Sequence, residues 1–331
     1  MSSRLTEREL IEKIRGRLPQ NQAEIIKAVG DDCAVVHGFG QELWLYTVDT
    51  LVEKVHFDRG WHPPYLLGRK AAAVNLSDIA AMGGIPQHAL LSIAAPLSME
   101  ESWFDAFMDG FLTRLSEYGV ALLGGDTVKS ISGIVLTVTL TGKVHADHIL
   151  FRSGARAGDL IWLSGIPGEA AGGLALCRAG KGDDQQWAKL VASHLDPSPE
   201  VQLGMELAQS GLVSAMMDTS DGVATDLAHL CKESGVGADI MESDLPGSAL
   251  LAEAACLTRC SPLDWALKGG EDYLLLFTSA PHHRQALEQL VGRCKREIFC
   301  IGRIRAGKGV SLINKEQRRD ISYQGYDHFS E

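Results

Sequence analysis

The chain predicts a two-domain α/β (α+β) protein, and three observations carry that expectation. Its 331 residues exceed what one hydrophobic core usually serves. Runs that alternate like strands and runs spaced like helices mix along the whole length, the pattern of a layered α/β or α+β structure. Glycine pairs and prolines separate them, as at Gly83-Gly84, Gly124-Gly125 and Gly269-Gly270.

The elements follow in order. Residues 1–18 carry mixed charges on a helical pattern, with Thr6 and Glu9 spaced as a capping box. A short apolar run fills 33–36. Residues 43–48 read as a strand ending at Asp49, and 52–57 as an extension that contains His56. The alanine-rich segment 66–82 predicts a long helix stopped by Gly83-Gly84, with Asn75 and Asp78 on its apolar stripe. Strands are expected at 88–95, at 120–123 running into Gly124-Gly125-Asp126, and at 134–144, with a helix over 100–118. Residues 151–159 look like a hinge, which divides the chain into 1–150 and 151–331. Beyond it, strands are predicted at 160–163, 213–217, 238–241 and 273–277. Helices are predicted at 169–179, 197–210, 222–234, 248–256 and 283–291, before an aromatic tail at 323–329.

Bulk composition narrows the function. A formal net charge of -11 argues against a nucleic-acid surface. Seven cysteines without a C-x-x-C pair fit a reducing compartment better than a disulfide framework. The first eighteen residues lack the apolar core of a signal peptide, and no stretch approaches a membrane span. The expectation is a cytoplasmic protein.

The chemistry lies in five acidic clusters: Gly30-Asp31-Asp32, Thr47-Val48-Asp49-Thr50, Asn75-Leu76-Ser77-Asp78, Gly124-Gly125-Asp126-Thr127 and Asp218-Thr219-Ser220-Asp221-Gly222. One such cluster is an ordinary turn. Five suggest a convergent site, and converging carboxylates raise each other's pKa unless cations intervene. Hard cations such as Mg2+ take oxygen ligands. Many aspartates with few lysines suit several Mg2+ ions and an anionic ligand held through them, most simply a nucleoside triphosphate. The phosphate loop G-x-x-x-x-G-K-[ST], G-x-G-x-x-G after a strand, G-x-S-x-G and H-E-x-x-H are all absent.

Further segments join these: His56-Phe57, Arg-Ser-Gly-Ala at 152–155, Gly-Gly-Glu-Asp-Tyr at 269–273 and Gly-Tyr-Asp-His-Phe at 325–329. Taken in order from residue 30 to 329, the set resembles the thiamine-monophosphate kinase family. That resemblance implies the aminoimidazole-ribonucleotide synthetase-like fold, with an N-terminal α/β domain that pairs in a homodimer and a C-terminal α/β domain that closes over the nucleotide. It implies ATP-dependent phosphorylation of thiamine monophosphate. By motif match, Asp32, Thr47, Asp49, Asp78, Asp126, Asp218 and Asp221 fall at magnesium positions. Val48, where relatives often carry threonine, offers only its backbone carbonyl. Gly125, Asp126, Arg152 and Ser220 fall at ATP positions, and His56, Glu271 and Tyr323 at thiamine positions. No general base or covalent nucleophile is expected.

Plainer readings stand beside these. Asp78 could cap a loop, His56 could be a packed histidine, Glu271 a solvated turn residue, Arg152 a hinge ion pair and Tyr323 a core cover. Two rivals are another ATP-using enzyme of the superfamily and a non-catalytic sensor of thiamine compounds.

Overall fold

The computed structural model describes residues 6–18, 23–315 and 317–329. Residues 1–5 of the expected first helix lie outside them. The first half comprises α1 (Glu7–Arg15), β1 (Ile25–Lys27), β2 (Ala34–His37), β3 (Glu42–Val52), α2 (Pro64–Ala81), β4 (Ile85–Ala95), α3 (Glu101–Glu117), β5 (Ala121–Lys129) and β6 (Val135–His145). Its six strands run β1-β2-β3-β6-β4-β5 across one sheet, antiparallel except for β4 with β5.

The second half opens with β7 (Leu160–Leu163), α4 (Glu169–Arg178), α5 (Ala188–Leu195), α6 (Val201–Ser210), β8 (Ala215–Asp218), α7 (Val223–Ser234) and β9 (Gly237–Met241). It continues with α8 (Ala249–Thr258), α9 (Pro262–Lys268), β10 (Leu275–Ser279), α10 (Arg284–Arg293), β11 (Phe299–Arg305), β12 (Val310–Asn314) and β13 (Gln317–Asp320). Its sheet runs β13-β12-β9-β11-β7-β10-β8. The two halves share a core: Leu45, Leu76, Phe107 and Leu136 belong to one buried cluster with Trp162, Leu207 and Phe277.

Several expectations shift. β3 does not stop at Asp49, because β6 pairs every residue from Glu42 to Val52. The strand therefore alternates through the acidic segment. Leu43, Leu45, Thr47 and Leu51 are buried, while Tyr46 and Val48 point outward. His56 lies beyond the strand, in a turn where its Nδ1 accepts from the Val52 amide at 3.0 Å. Likewise β5 runs straight through Gly124-Gly125-Asp126, held by parallel pairing with β4. Two short helices, α5 and α9, were not legible in the pattern. α6 begins at Val201 rather than 197, since Pro199 disfavours helix at the residue before it.

α2 is the central element. It is buried on nearly every face rather than along one stripe, and Asn75 turns its amide back to donate to the Ala71 carbonyl at 3.2 Å. α3 crosses it at glycines: a Cβ on Gly68 would overlap the Phe107 carbonyl, and one on Gly110 the Tyr65 carbonyl. α1 has the foreseen cap, with the Thr6 hydroxyl accepting from the Glu9 amide at 3.3 Å and Glu9 accepting from the Thr6 amide at 2.9 Å. Among the described residues no helix is long and apolar enough to cross a membrane.

The crossing sets a test. Gly110→Val forces α3 off α2 and should cost on the order of 3 kcal/mol. Chemical denaturation should show a lower midpoint; an unchanged midpoint would mean that the helices separate freely.

Candidate active site

Three carboxylates meet where the two halves touch. Asp32 comes from the turn before β2, Asp78 from the last turn of α2, and Asp218 from the end of β8. One oxygen of each lies within 4.8 Å of the others. The neighbours of the cluster are specific. The Thr47 hydroxyl, on the core face of β3, donates to Asp78. The Ser77 hydroxyl donates to Asp218 at 2.5 Å. Asp49, two residues along the same face of β3 as Thr47, shares a hydrogen bond with Asp78.

Burial pushes these carboxyls up, and mutual repulsion adds to it. Asp218 rises to about 8 through burial and then Asp32. Asp49 rises to about 6 through burial. Asp78 rises well above the carboxylate range through burial, then Asp49, Asp218 and Asp32. Asp221, at the same switch from β8 into α7, reaches about 7. Buried Asp226, on the first turn of α7, accepts from the Asp221 amide at 3.3 Å and is raised too, by burial first; nothing in its sequence context had marked it.

One cation answers them. Arg152 donates to Asp32 Oδ1 through Nε at 3.1 Å and Nη2 at 2.5 Å, and its backbone amide donates to Asp31 at 3.1 Å. Asp31 also faces Lys27 at 3.4 Å. The other Asp32 oxygen is buried with no hydrogen-bond partner among the described residues. An orphaned carboxylate oxygen beside two further carboxylates fits a hard divalent cation, and Asp32, Asp78 and Asp218, with Asp49 and Thr47 adjoining, are the groups that would hold it. Val48 points its side chain to the opposite face of β3, 61% exposed.

A cavity of about 710 Å3 opens beside this cluster. Asp32, Thr47, Arg152, Ser220 and Asp221 line it, with α1 as its outer wall and Tyr323 and Tyr326 at its rim. Its size is that of a small-molecule pocket. A smaller cavity of about 160 Å3 is lined by His56, Phe57, Trp61, His194 and Glu271. The tail stands between the two: the Tyr326 amide donates to the Asp221 carbonyl at 2.9 Å, and His328 packs its ring 5.0 Å from His56 and 4.9 Å from Tyr326.

Some expected residues are not brought together in one chain. Gly125 and Asp126 sit on the edge strand β5, exposed. Asp126 pairs with Ser92, which pairs with Thr137, which pairs with Thr50. Three strand spacings, roughly 14 Å, separate Asp126 from β3, and that row faces away from Asp49. Tyr323 does not reach His56 and Glu271. Its ring packs against the Arg8 guanidinium at 3.9 Å and against His229; His328 is the tail ring beside His56, with Tyr326 behind it. Lys70 and His194, which flank Glu271, were also not singled out. A lysine and a histidine inside helical patterns carry no local signal of a partner that far along the chain, 201 residues from Lys70 and 77 from His194.

The paired α/β halves and the carboxylates between them define an AIR synthase related protein. The N-terminal domain of that family matches residues 30–144 and its C-terminal domain residues 156–315. The chain is 35% identical over 324 residues to the thiamine-monophosphate kinase of Salmonella typhimurium, covering 97% of each. It is 33% identical to that of Bacillus subtilis, covering 91% of this chain and 93% of the relative. The solved structure of AaThiL complexed with AMPPCP and TMP superposes with a TM-score of 0.85 at 31% identity, over 99% of this chain and 100% of that one. The chain belongs to the thiamine-monophosphate kinase family.

The raised carboxyls fix the sign of a pH effect. A group whose folded pKa lies above its unfolded value stabilises below the unfolded value, and the gain is lost as pH rises through the folded one. The metal-free protein should therefore melt at progressively lower temperature between about pH 4 and about pH 8, and Mg2+ should recover more at the upper end. Asp218→Asn should raise the metal-free melting temperature at pH 8 and abolish most of the Mg2+ gain. Scanning calorimetry with and without Mg2+ checks both; a pH-independent Mg2+ effect would contradict them.

Proposed function

We propose that the protein transfers the γ-phosphoryl group of ATP to thiamine monophosphate, giving thiamine diphosphate and ADP. The observation that carries this is the Asp32–Asp78–Asp218 cluster with Arg152 at the wall of a cavity of about 710 Å3. Relatives matched over nearly the whole chain are thiamine-monophosphate kinases, and a neighbouring structure holds AMPPCP and TMP.

Several Mg2+ ions, held by Asp32, Asp49, Asp78, Asp126, Asp218 and Asp221 with Thr47 and the Val48 carbonyl, would neutralise charge on the phosphates. Arg152, Ser220 and the Gly125 backbone are assigned to the nucleotide. His56, Glu271 and Tyr323 are assigned to the thiamine part, with Tyr326 a second ring in the same tail. The acceptor is a phosphate monoester with a second pKa of about 6, already largely ionised at neutral pH, so no base is required. The nearest thiol, Cys33, is fully buried and its pKa is pushed well up by burial and by Asp78, which disfavours it as a nucleophile. Both points support direct in-line transfer governed by positioning. Seven free cysteines support a reducing compartment such as the cytoplasm.

The same reading includes a homodimer. The outer face of the first sheet exposes Tyr46, Val48, Leu90, Leu123 and Val128, an apolar stretch that calls for a cover. β5 is also an edge strand. A second copy seated on this face supplies Gly125 and Asp126 to the site of the first, which accounts for their distance from the cluster within one chain.

Incubation with ATP, Mg2+ and thiamine monophosphate should yield thiamine diphosphate, while free thiamine should not react. Asp126→Ala and Asp78→Ala should each abolish turnover. Unfolded together and refolded, the two inactive variants should regain about a quarter of wild-type activity, because a mixed dimer carries one intact site. No recovery would place Asp126 in the site of its own chain; wild-type activity in either variant alone would remove it from the machinery.

A further inference from the structure

The smaller cavity carries a charge arrangement that the proposed reaction does not by itself require. Lys70, on α2, is 0% exposed, and its Nζ lies 2.8 Å from Glu271 Oε1. His194, on α5, is equally buried, and its Nδ1 lies 3.0 Å from Glu271 Oε2. Each carboxylate oxygen thus has a buried nitrogen within ion-pair distance. Oε1 is itself buried without a hydrogen-bond partner among the described residues, while the side chain as a whole keeps 21% of its surface exposed and lines the cavity, which leaves Oε2 as the oxygen a ligand can reach.

The backbone is fixed as tightly. Glu271 holds φ +69, a left-handed conformation that costs a non-glycine residue free energy. Its amide donates to the Ser220 carbonyl at 2.8 Å. Gly270 before it has no room for a Cβ against that same carbonyl. The loop that carries Ser220 and Asp221 therefore also sets where Glu271 stands.

The balance of charge selects what Glu271 can bind. Burial alone would raise its carboxyl, yet Lys70 and His194 hold it far below the usual carboxylate range, so it is ionised. His194 is kept neutral by burial and by Lys70. One positive and one negative charge then cancel. Lys54 and Asp58 cancel likewise at 2.8 Å, and Arg178 leaves the cavity wall with a positive excess. A cationic thiazolium gains nothing here. A neutral ring bearing an N–H gains a charge-assisted hydrogen bond to a fixed acceptor. The indole of Trp61, 5.5 Å from the His194 ring, gives that ring a flat wall.

We propose that Lys70 and His194 are positioning residues that fix Glu271 as the acceptor for the exocyclic amine of the aminopyrimidine, so that this ring and not the thiazolium enters the cavity beside His56. The inference rests on thiamine monophosphate being the acceptor, and it determines which end of that molecule is read.

The test compares thiamine monophosphate with the analogue whose 4-amino group is replaced by a carbonyl oxygen, in steady-state kinetics. The wild-type protein should prefer the amine by about 100-fold in kcat/KM, since a site built to accept an N–H is left unpaired by the analogue. Lys70→Met should raise KM for thiamine monophosphate at least about 10-fold and reduce the preference below about 10-fold, with KM for ATP changed less than about 2-fold. His194→Ala should show part of the same loss, and His194→Asn, which restores a donor near Nδ1, should recover it. A wild-type protein that uses both acceptors equally overturns the proposal. So does a folded Lys70→Met variant with its preference intact, or one in which KM for ATP rises as much as KM for the acceptor. If Lys70→Met does not fold, the wild-type preference and the two His194 variants decide by the same criteria. Absence of wild-type turnover with thiamine monophosphate overturns the proposed function and this inference together; turnover without preference overturns this inference alone.

Discussion

Mutual repulsion among Asp32, Asp78 and Asp218 is the constraint on which the rest depends. Folding drives three carboxylates into a space where, among the described residues, the guanidinium of Arg152 alone stands opposite them. Such a cluster opposes the collapse that creates it. It persists because its parts are anchored elsewhere: Asp78 in a helix buried on nearly every face, Asp218 at the end of a fully buried strand, Asp32 on a turn tied to Arg152. The stability that holds the site together is supplied by the apolar core shared between the halves.

α2 sets the distances. Ser77 and Asp78 in its last turn meet Asp218 and Thr47. Lys70, eight residues earlier and so about 12 Å along the axis, meets Glu271. One rigid helix therefore spans the acidic cluster and the smaller cavity. Its glycine crossing with α3 and the closeness of α6, where a Cβ on Gly204 would meet the Ala80 carbonyl, leave it little freedom to slide. The acidic cluster and the smaller cavity are held apart by an element whose length is fixed by its own hydrogen bonds.

The two cavities use charge in opposite ways. The larger is lined by more acidic than basic side chains and stands beside the Asp32–Asp78–Asp218 cluster. The smaller pairs Lys70 with Glu271 and Lys54 with Asp58, leaves Arg178 in excess, and keeps directionality instead. A buried ion pair is a weak source of stability, because desolvation offsets most of the attraction. Its value here is to keep a carboxylate ionised and immobile in a place where burial alone would protonate it.

The sequence by itself determined the elements and the acidic inventory. Most helices and strands follow from periodicity, the capping box at Thr6 and Glu9 is local, and the ordered motifs mark the family. It could not show that β3 and β5 run through their acidic segments, because only pairing with β6 and β4 keeps those segments extended. It could not show that Asp126 stands on the far face of the sheet, three strands from β3, since the order β3-β6-β4-β5 joins strands that are not consecutive. It did not show how the two rings of one aromatic tail are packed: Arg8 and His229 lie against Tyr323, and His328 against Tyr326. Local pattern is written in spacing along the chain. Which side chains face one another across it is settled by packing between segments far apart in the chain, as Lys70 and Glu271 are.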